Sequence, residues 1–234
     1  MNIEIEEIIS SIEARNSRAF RLKIKMAAWN LAIRVAYLTK RLVDIMVSSL
    51  AILALSPLMI GVALAIKLES KGPIIFKQIR VGRNGRHFDF YKFRSMRPSA
   101  ENEKKNILSK NDSSDGVIFK MKKDPRITRV GRFIRKFSID ELPQLFNVLE
   151  GSMSLVGPRP PLPQEVKSYT LEDRKRLHIK PGITCIWQVS GRSDIPFKQQ
   201  VKLDEQYIKS QGFWKDIMIL LKTIPAVITG KGAY

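Results

Sequence analysis

Between Ile45 and Ile66 the chain runs for 22 residues without a charge, IMVSSLAILALSPLMIGVALAI. A globular core helix needs an apolar stripe, not apolar residues all round. A helix of this length, rising about 1.5 Å per residue, just covers the roughly 30 Å hydrocarbon core of a bilayer. The run therefore reads as a membrane element. It begins too deep in the chain, and lacks the small-residue cleavage pattern, for a secretory signal. Two features argue against a simple crossing. Ser56-Pro57 falls at the middle, where Pro57 cannot donate to the Leu53 carbonyl and clashes with it, so a kink is expected, with the Ser56 hydroxyl able to re-satisfy the broken turn. Both flanks are basic, Arg34, Lys40 and Arg41 before the run and Lys67 and Lys71 after it, which favours both ends on the cytoplasmic face. A re-entrant helix hairpin satisfies both facts and is preferred to a through-span.

Charge narrows the partners. The 234 residues carry a net charge of +19, and residues 67–136 hold 20 basic and 7 acidic groups, so most of the excess lies just after the apolar run. Such a surface seeks a polyanion: nucleic acid, an acidic membrane, or a phosphorylated substrate. One Cys excludes a disulfide framework, and two His without metal-binding spacing argue against zinc. A nucleic-acid-binding protein is disfavoured by the central apolar run and by the lack of an aromatic-rich RNA signature or zinc-finger spacing. A basic membrane-surface adaptor without catalysis stays open at this point.

Three segments follow. Residues 1–39 form an amphipathic arm, in which Ile3, Ile5, Ile8, Ile9 and Ile12 recur near helical spacing ahead of Arg15, Arg18, Arg21, Lys23 and Lys25. It suits either an interfacial helix on anionic lipid or a partner-binding or coiled-coil arm. Residues 40–70 are the anchor and 71–234 the cytoplasmic domain. In that domain Ile74–Phe76 and Phe88–Tyr91 read as short strands about a turn at Gly82 and Asn84-Gly85. Residues 98–116 are polar and read as a mobile loop. RVGRFIRKF places Val130, Phe133, Ile134 and Phe137 on one helical face with basic residues between, and FWKDIMILLKTIPAVI is a second amphipathic helix. Either helix can pack on the core or lie on a membrane surface. KPGITCIWQVSGR reads as turn, short strand and turn, closing on Arg192.

SIDELPQLFNVL carries the chemistry. Ser138 and Glu141 have capping-box spacing, while Pro143 favours a later start with Asp140 as the cap. Either way Asp140 and Glu141 sit at a helix N-terminus, where the dipole depresses carboxylate pKa values. Asp140 is then a structural cap, or an ionised nucleophile or magnesium ligand for a phosphate substrate. In GSMSLVGPRPP, Pro158 and Pro160 fix the backbone on either side of Arg159, which suits phosphate recognition or a plain surface turn.

Together these blocks resemble the bacterial sugar transferases, also called polyprenyl-phosphate hexose-1-phosphate transferases or monotopic phosphoglycosyl transferases. The resemblance rests on KRLVDI…LSPLMI, GPIIFKQIRVGRNG, FYKFRSM, DPRITRVGRFIRKFSIDELPQLFNVLEGSMSLVGPRP, KPGITCIWQVSGR and LDEQYI…FWKDIMILLKT, from about Lys40 to Tyr234. It implies an α/β (α+β) fold: a helix-rich small catalytic domain with a re-entrant membrane helix hairpin and interfacial amphipathic helices. The implied location is the cytoplasmic face of the bacterial inner membrane, as a monotopic protein. The implied reaction transfers a sugar-1-phosphate from a UDP-sugar to undecaprenyl phosphate and releases UMP, starting exopolysaccharide, capsule or lipopolysaccharide O-antigen synthesis. Asp140 matches the nucleophile that forms an aspartyl-phosphosugar intermediate, and Glu141 the second acid, for magnesium binding or proton handling. Lys92, Arg94, Arg135 and Arg159 are candidates to grip phosphates, Arg192 to hold the nucleotide or a loop, and Asp204 to act in a late acidic position. Ser56 and Pro57 match the membrane kink, and Asp140 and Glu141 are the candidate magnesium ligands. The ending TGKGAY resembles the subgroup handling glucose or galactose. Nucleic acid is not an expected partner, anionic membrane lipid is, and homo-oligomer formation is left open.

Overall fold

The computed structural model describes residues 2–100, 102–103, 121 and 124–230, with side chains described from Phe20 onward, Ser193 excepted. Most of the polar stretch 98–116 lies outside these residues, as do the side chains of Ile3 to Ile12 and the final residues 231–234. Two units divide the chain, Met1–Val43 and Asp44–Tyr234. In the first, the backbone is helical from Asn2, and large apolar side chains such as Phe20, Trp29 and Leu31 are exposed.

Helix α1 (Asn2–Glu69) keeps helical backbone on both sides of Pro57. The Ser56 hydroxyl donates to the Leu53 carbonyl at 2.8 Å, filling the bond that Pro57 cannot make. In the second unit the helix has two apolar faces with different fates. Ile52, Met59, Val62 and Ile66 pack on the core, whereas Met46, Leu50, Leu53, Ile60 and Leu64 are exposed. The exposed residues recur at helical spacing and make one apolar stripe, with Pro57 on it. From Phe20 to Glu69 the helix is long and apolar enough to cross a membrane. Exposed apolar surface of that extent marks a lipid or protein contact.

Beyond the helix, β1 (Ile75–Val81) pairs antiparallel with β2 (His87–Phe93), Ile75 opposite Phe93 and Val81 opposite His87. The turn between them has Asn84 at φ 57° and Gly85 at φ 78°, the left-handed pair that Asn-Gly adopts at low cost. Helix α2 (Arg129–Lys136) is the amphipathic element expected, with Ile134 fully buried. Thr128 caps it by accepting from the Gly131 amide, and the Glu69 carboxylate at the end of α1 accepts from the Arg129 amide at 2.7 Å. After a 3-10 turn (Ile139–Glu141), α3 (Gln144–Glu150) leads into β3 (Ser154–Val156). Short helices α4 (Pro163–Lys167) and α5 (Leu171–Arg174) carry the chain over to β4 (Gly182–Thr184), parallel to β3. The tail of the fold is α6 (Ile186–Ser190), α7 (Phe197–Ser210) and α8 (Phe213–Thr229). Among the described residues the fold is thus helix-rich with two small sheets. Where a strand and turn were expected in KPGITCIWQVSGR, the strand stops at Thr184 and Ile186–Ser190 is helical.

One core joins Phe90, Leu145, Val148, Leu155, Tyr207 and Ile219, and a second joins Val62, Ile66, Phe93 and Ile134. Asn147 is fully buried between β2 and α3; its amide donates to the Asp89 carbonyl at 2.7 Å and its oxygen accepts from the Tyr91 amide at 3.0 Å. That latch fixes β2 against α3 at Tyr91, the residue next to Lys92. In α8 Ile219 enters the core, while Trp214, Met218, Leu221, Ile224 and Ile228 form an exposed apolar face, so this helix both packs and presents.

Candidate active site

The chain leaves α2 through Ser138, a non-glycine residue in the left-handed region at φ 53°. Ser138 makes no side-chain cap; its carbonyl accepts from the Glu141 amide and closes the 3-10 turn that holds Asp140 and Glu141. The expected capping box is therefore absent, and Asp140 is not a helix cap, because α3 starts only at Gln144, after Pro143. The Ser138 hydroxyl instead accepts from Arg192 Nη2 at 2.7 Å. Arg192 also lies at φ 53°. Left-handed side-chain-bearing residues cost about 1 kcal/mol or more each, and such outliers gather where function constrains the backbone. Here two of them touch.

Between the two carboxylates stands Lys92 of β2. Its Nζ is 2.6 Å from Glu141 Oε1 and 3.3 Å from Asp140 Oδ2. Burial holds the Asp140 carboxyl above the ordinary range; Lys92 opposes this, and the neighbouring Glu141 adds to it. Burial pushes Glu141 up as well, but Lys92, Arg159 and Arg192 outweigh it and bring that carboxyl below the usual range. The uniform depression expected from a helix dipole does not hold for Asp140, which sits buried in a 3-10 turn and shares its cation with a neighbour. The result is an unequal pair, one carboxyl easily ionised and one reluctant.

Arginines surround it. Arg135, at the end of α2, acts on Asp140 through its charge, and Arg159 and Arg192 act on Glu141. Arg159 is exposed on an extended loop whose backbone is pinned on both sides: the Gly182 amide donates to the Pro158 carbonyl and the Val81 amide to the Pro161 carbonyl. Arg80 was not singled out from sequence, yet it holds this loop. It is buried, donates from Nη1 to the Pro160 carbonyl at 3.0 Å, and is pulled down to about 10 by burial and by Arg159. In IFKQIRV one basic residue looks like another, and only the alternation of the strand hints that Arg80 and Gln78 share a side.

Two other candidates stand apart from the pair. Arg94 is buried just past the end of α1, donating to the Ser70 and Lys71 carbonyls at 2.8 and 3.0 Å and reaching the open Ile66 carbonyl of the last turn at 3.5 Å. Asp204 pairs with Arg176 in a buried bridge beside Tyr169 and Phe197. Burial pushes Asp204 up to about 6 despite Arg176. Ser56 and Pro57 lie on α1, as described above.

Among the described residues no group of three or more His, Cys, Asp and Glu side chains gathers as a metal site. Magnesium does not require one, since it binds through one or two carboxylates together with substrate phosphates. Adjacent Asp140 and Glu141 oxygens that already share one cation, Lys92 Nζ, fit that donor set.

A family model described as bacterial sugar transferase matches residues 35–230. The chain belongs to the bacterial sugar transferase family. Among its relatives in that family, the galactosyl transferase CpsE of Streptococcus agalactiae serotype III is 56% identical over 163 residues, covering 69% of this chain and 36% of its own. The undecaprenyl-phosphate galactose phosphotransferase of Salmonella typhimurium is 46% identical over 208 residues, covering 88% and 44%. The exopolysaccharide production protein ExoY of Sinorhizobium fredii is 37% identical over 200 residues, covering 84% and 88%. The chain thus spans less than half the length of the first two sugar transferases and most of the third.

Proposed function

We propose that this sugar transferase moves a hexose-1-phosphate, glucose or galactose, from a UDP-sugar to undecaprenyl phosphate and releases UMP. The observation that carries the reading is the unequal carboxylate pair, Asp140 and Glu141, bridged by Lys92 and ringed by Arg135, Arg159 and Arg192. An oxygen of the Asp140 carboxylate, whose ionised form Lys92 and Arg135 support against burial, attacks the sugar-bearing phosphorus of the UDP-sugar, and the bond from that phosphorus to the oxygen of UMP breaks. The Asp140 phosphosugar ester is then attacked by an oxygen of the lipid phosphate, which regenerates the carboxylate and leaves a sugar pyrophosphoryl lipid. Lys92 and the arginines hold the phosphate oxygens in line. Asp140 and Glu141 would hold magnesium, which when bound neutralises charge on the departing UMP; Glu141 alternatively handles protons.

The exposed apolar stripe of α1 and the apolar face of α8 support a seat on a membrane, and the basic flanks of the apolar run favour the cytoplasmic face of the bacterial inner membrane with α1 entering and leaving by one leaflet. The product would begin a repeat unit of exopolysaccharide, capsule or O-antigen. The test uses the full chain in detergent with undecaprenyl phosphate, magnesium and a panel of UDP-sugars, reading UMP release. Asp140→Asn should stop UMP release while remaining folded, and the wild-type protein quenched without acceptor should carry a phosphohexose mass on the peptide containing Asp140. Normal UMP release by Asp140→Asn defeats the nucleophile assignment. Glu141→Gln should also fail, and recovery at high magnesium would favour the metal role.

A further inference from the structure

A cavity of about 300 Å³ opens beside the carboxylate pair. Ser138, Glu141 and Arg192 belong to its polar lining, and Leu55 and Leu58 of α1 and Ala226 and Val227 of α8 to its apolar lining. Two features distinguish it from a packing defect. Arg192 spends Nη2 on Ser138, but its Nη1 is buried with no acceptor among the described residues. A buried cationic donor left open is costly, and a guanidinium is shaped for phosphate oxygens. The apolar part is also continuous with the outer surface of α1, because Leu58 both lines the cavity and is exposed on that helix.

We infer that this cavity seats the phosphate-proximal isoprene units of a single-chain prenyl phosphate, with Arg192 holding its phosphate beside the carboxylate pair. The inference rests on the transferase reading and places the acceptor within it. Size favours one chain: the volume lies at the lower end for small-ligand pockets, too little for a two-tailed lipid. Charge favours a phosphate over a neutral alcohol, since Arg192 has a donor to spare. The Ser138–Arg192 contact then acts as a positioning device that sets the acceptor phosphate relative to Asp140.

The test is photolabelling of the full chain in detergent micelles with a benzophenone analogue of farnesyl phosphate, the labelled peptides being mapped by mass spectrometry. Label should fall on the segments holding Leu55 and Leu58, and Ala226 and Val227. Farnesyl phosphate should displace it at least about tenfold better than farnesol, and phosphatidylglycerol should not displace it. In Arg192→Ala the advantage of phosphate over alcohol should shrink toward parity, and Arg192→Lys should restore part of it. Label outside these segments, no label, or displacement by phosphatidylglycerol overturns the inference. In turnover, Ala226→Phe should raise the acceptor KM about tenfold, and an equal rise in the UDP-sugar KM overturns it. If the wild-type protein uses no prenyl phosphate in turnover, the transferase reading falls, and the labelling pattern still decides the cavity.

Discussion

Replacing Lys92 by Met removes the cation that Asp140 and Glu141 share. In the intact site the two carboxyls act oppositely on stability. Asp140, with its pKa raised, favours the fold at low pH and loses that contribution as pH rises through its folded value. Glu141, with its pKa lowered, contributes above the ordinary glutamate range and loses it as pH falls. Without Lys92, burial dominates both groups and both move up, so the deficit of the variant grows with pH. Truncating one member of a buried ion pair costs about 3–5 kcal/mol. The Lys92 and Glu141 side chains keep 21% and 22% of their exposure, and solvent screening reduces the cost to roughly 2–3 kcal/mol at pH 8. Near pH 5 protonation of one carboxyl relieves the repulsion, leaving about 1 kcal/mol or less. At about 2–4 °C per kcal/mol for a chain of this size, the melting deficit is roughly 5–10 °C at pH 8 and under about 4 °C at pH 5. Thermal unfolding in detergent with EDTA, followed by tryptophan fluorescence to which buried Trp187 contributes, measures both. Magnesium should recover part of the loss at pH 8 by replacing the lysine charge. A deficit that is equal at the two pH values, or larger at pH 5, refutes the reasoning.

Gly131→Ala drives a Cβ into the Ser95 carbonyl oxygen, and the forced shift of α2 should cost about 1–3 kcal/mol, visible as a lowered melting temperature. Asn147→Leu leaves the Asp89 carbonyl and the Tyr91 amide without their partner; a loss of roughly 2 kcal/mol or more is expected, with UMP release falling because Lys92 loses its registration. Pro57→Ala restores a backbone donor to the Leu53 carbonyl, worth about 3 kcal/mol toward a straight helix. Part of the population should then span the membrane. Single cysteines at Asn30 and Ile75 in a Cys185→Ser background, labelled from outside intact cells, report it, and unchanged labelling would show that packing of α1 on the core holds its shape.

Local chemistry was readable from sequence where neighbours alone decide it. Asn84-Gly85 dictates its turn, and the spacing of Val130, Ile134 and Phe137 dictates α2. The strands were located but read short, because Lys77 and Gln78 look like loop residues until Tyr91 and Phe90 are opposite them. The adjacent carboxylates Asp140 and Glu141 are plain in the sequence, but their setting is not: the left-handed Ser138 before them is bonded by Arg192, 54 residues away. Arg80, Arg94 and Arg159 are equivalent in composition, and only tertiary packing buries the first two and exposes the third. A helix such as α1, apolar on every side, likewise hides which face is core.

That last feature bears on how the protein could be cut. A fragment begun near residue 70, the obvious way to a soluble enzyme, would strip Phe93 and Ile134 of Val62 and Ile66. It would also take Glu69 from the first amides of α2 and the Ile66 carbonyl from Arg94. The apolar run of α1 is thus the floor of the unit Asp44–Tyr234. A water-soluble version would keep the inward residues Ile52, Met59, Val62 and Ile66 and repaint only the outward stripe of Leu50, Leu53, Ile60 and Leu64.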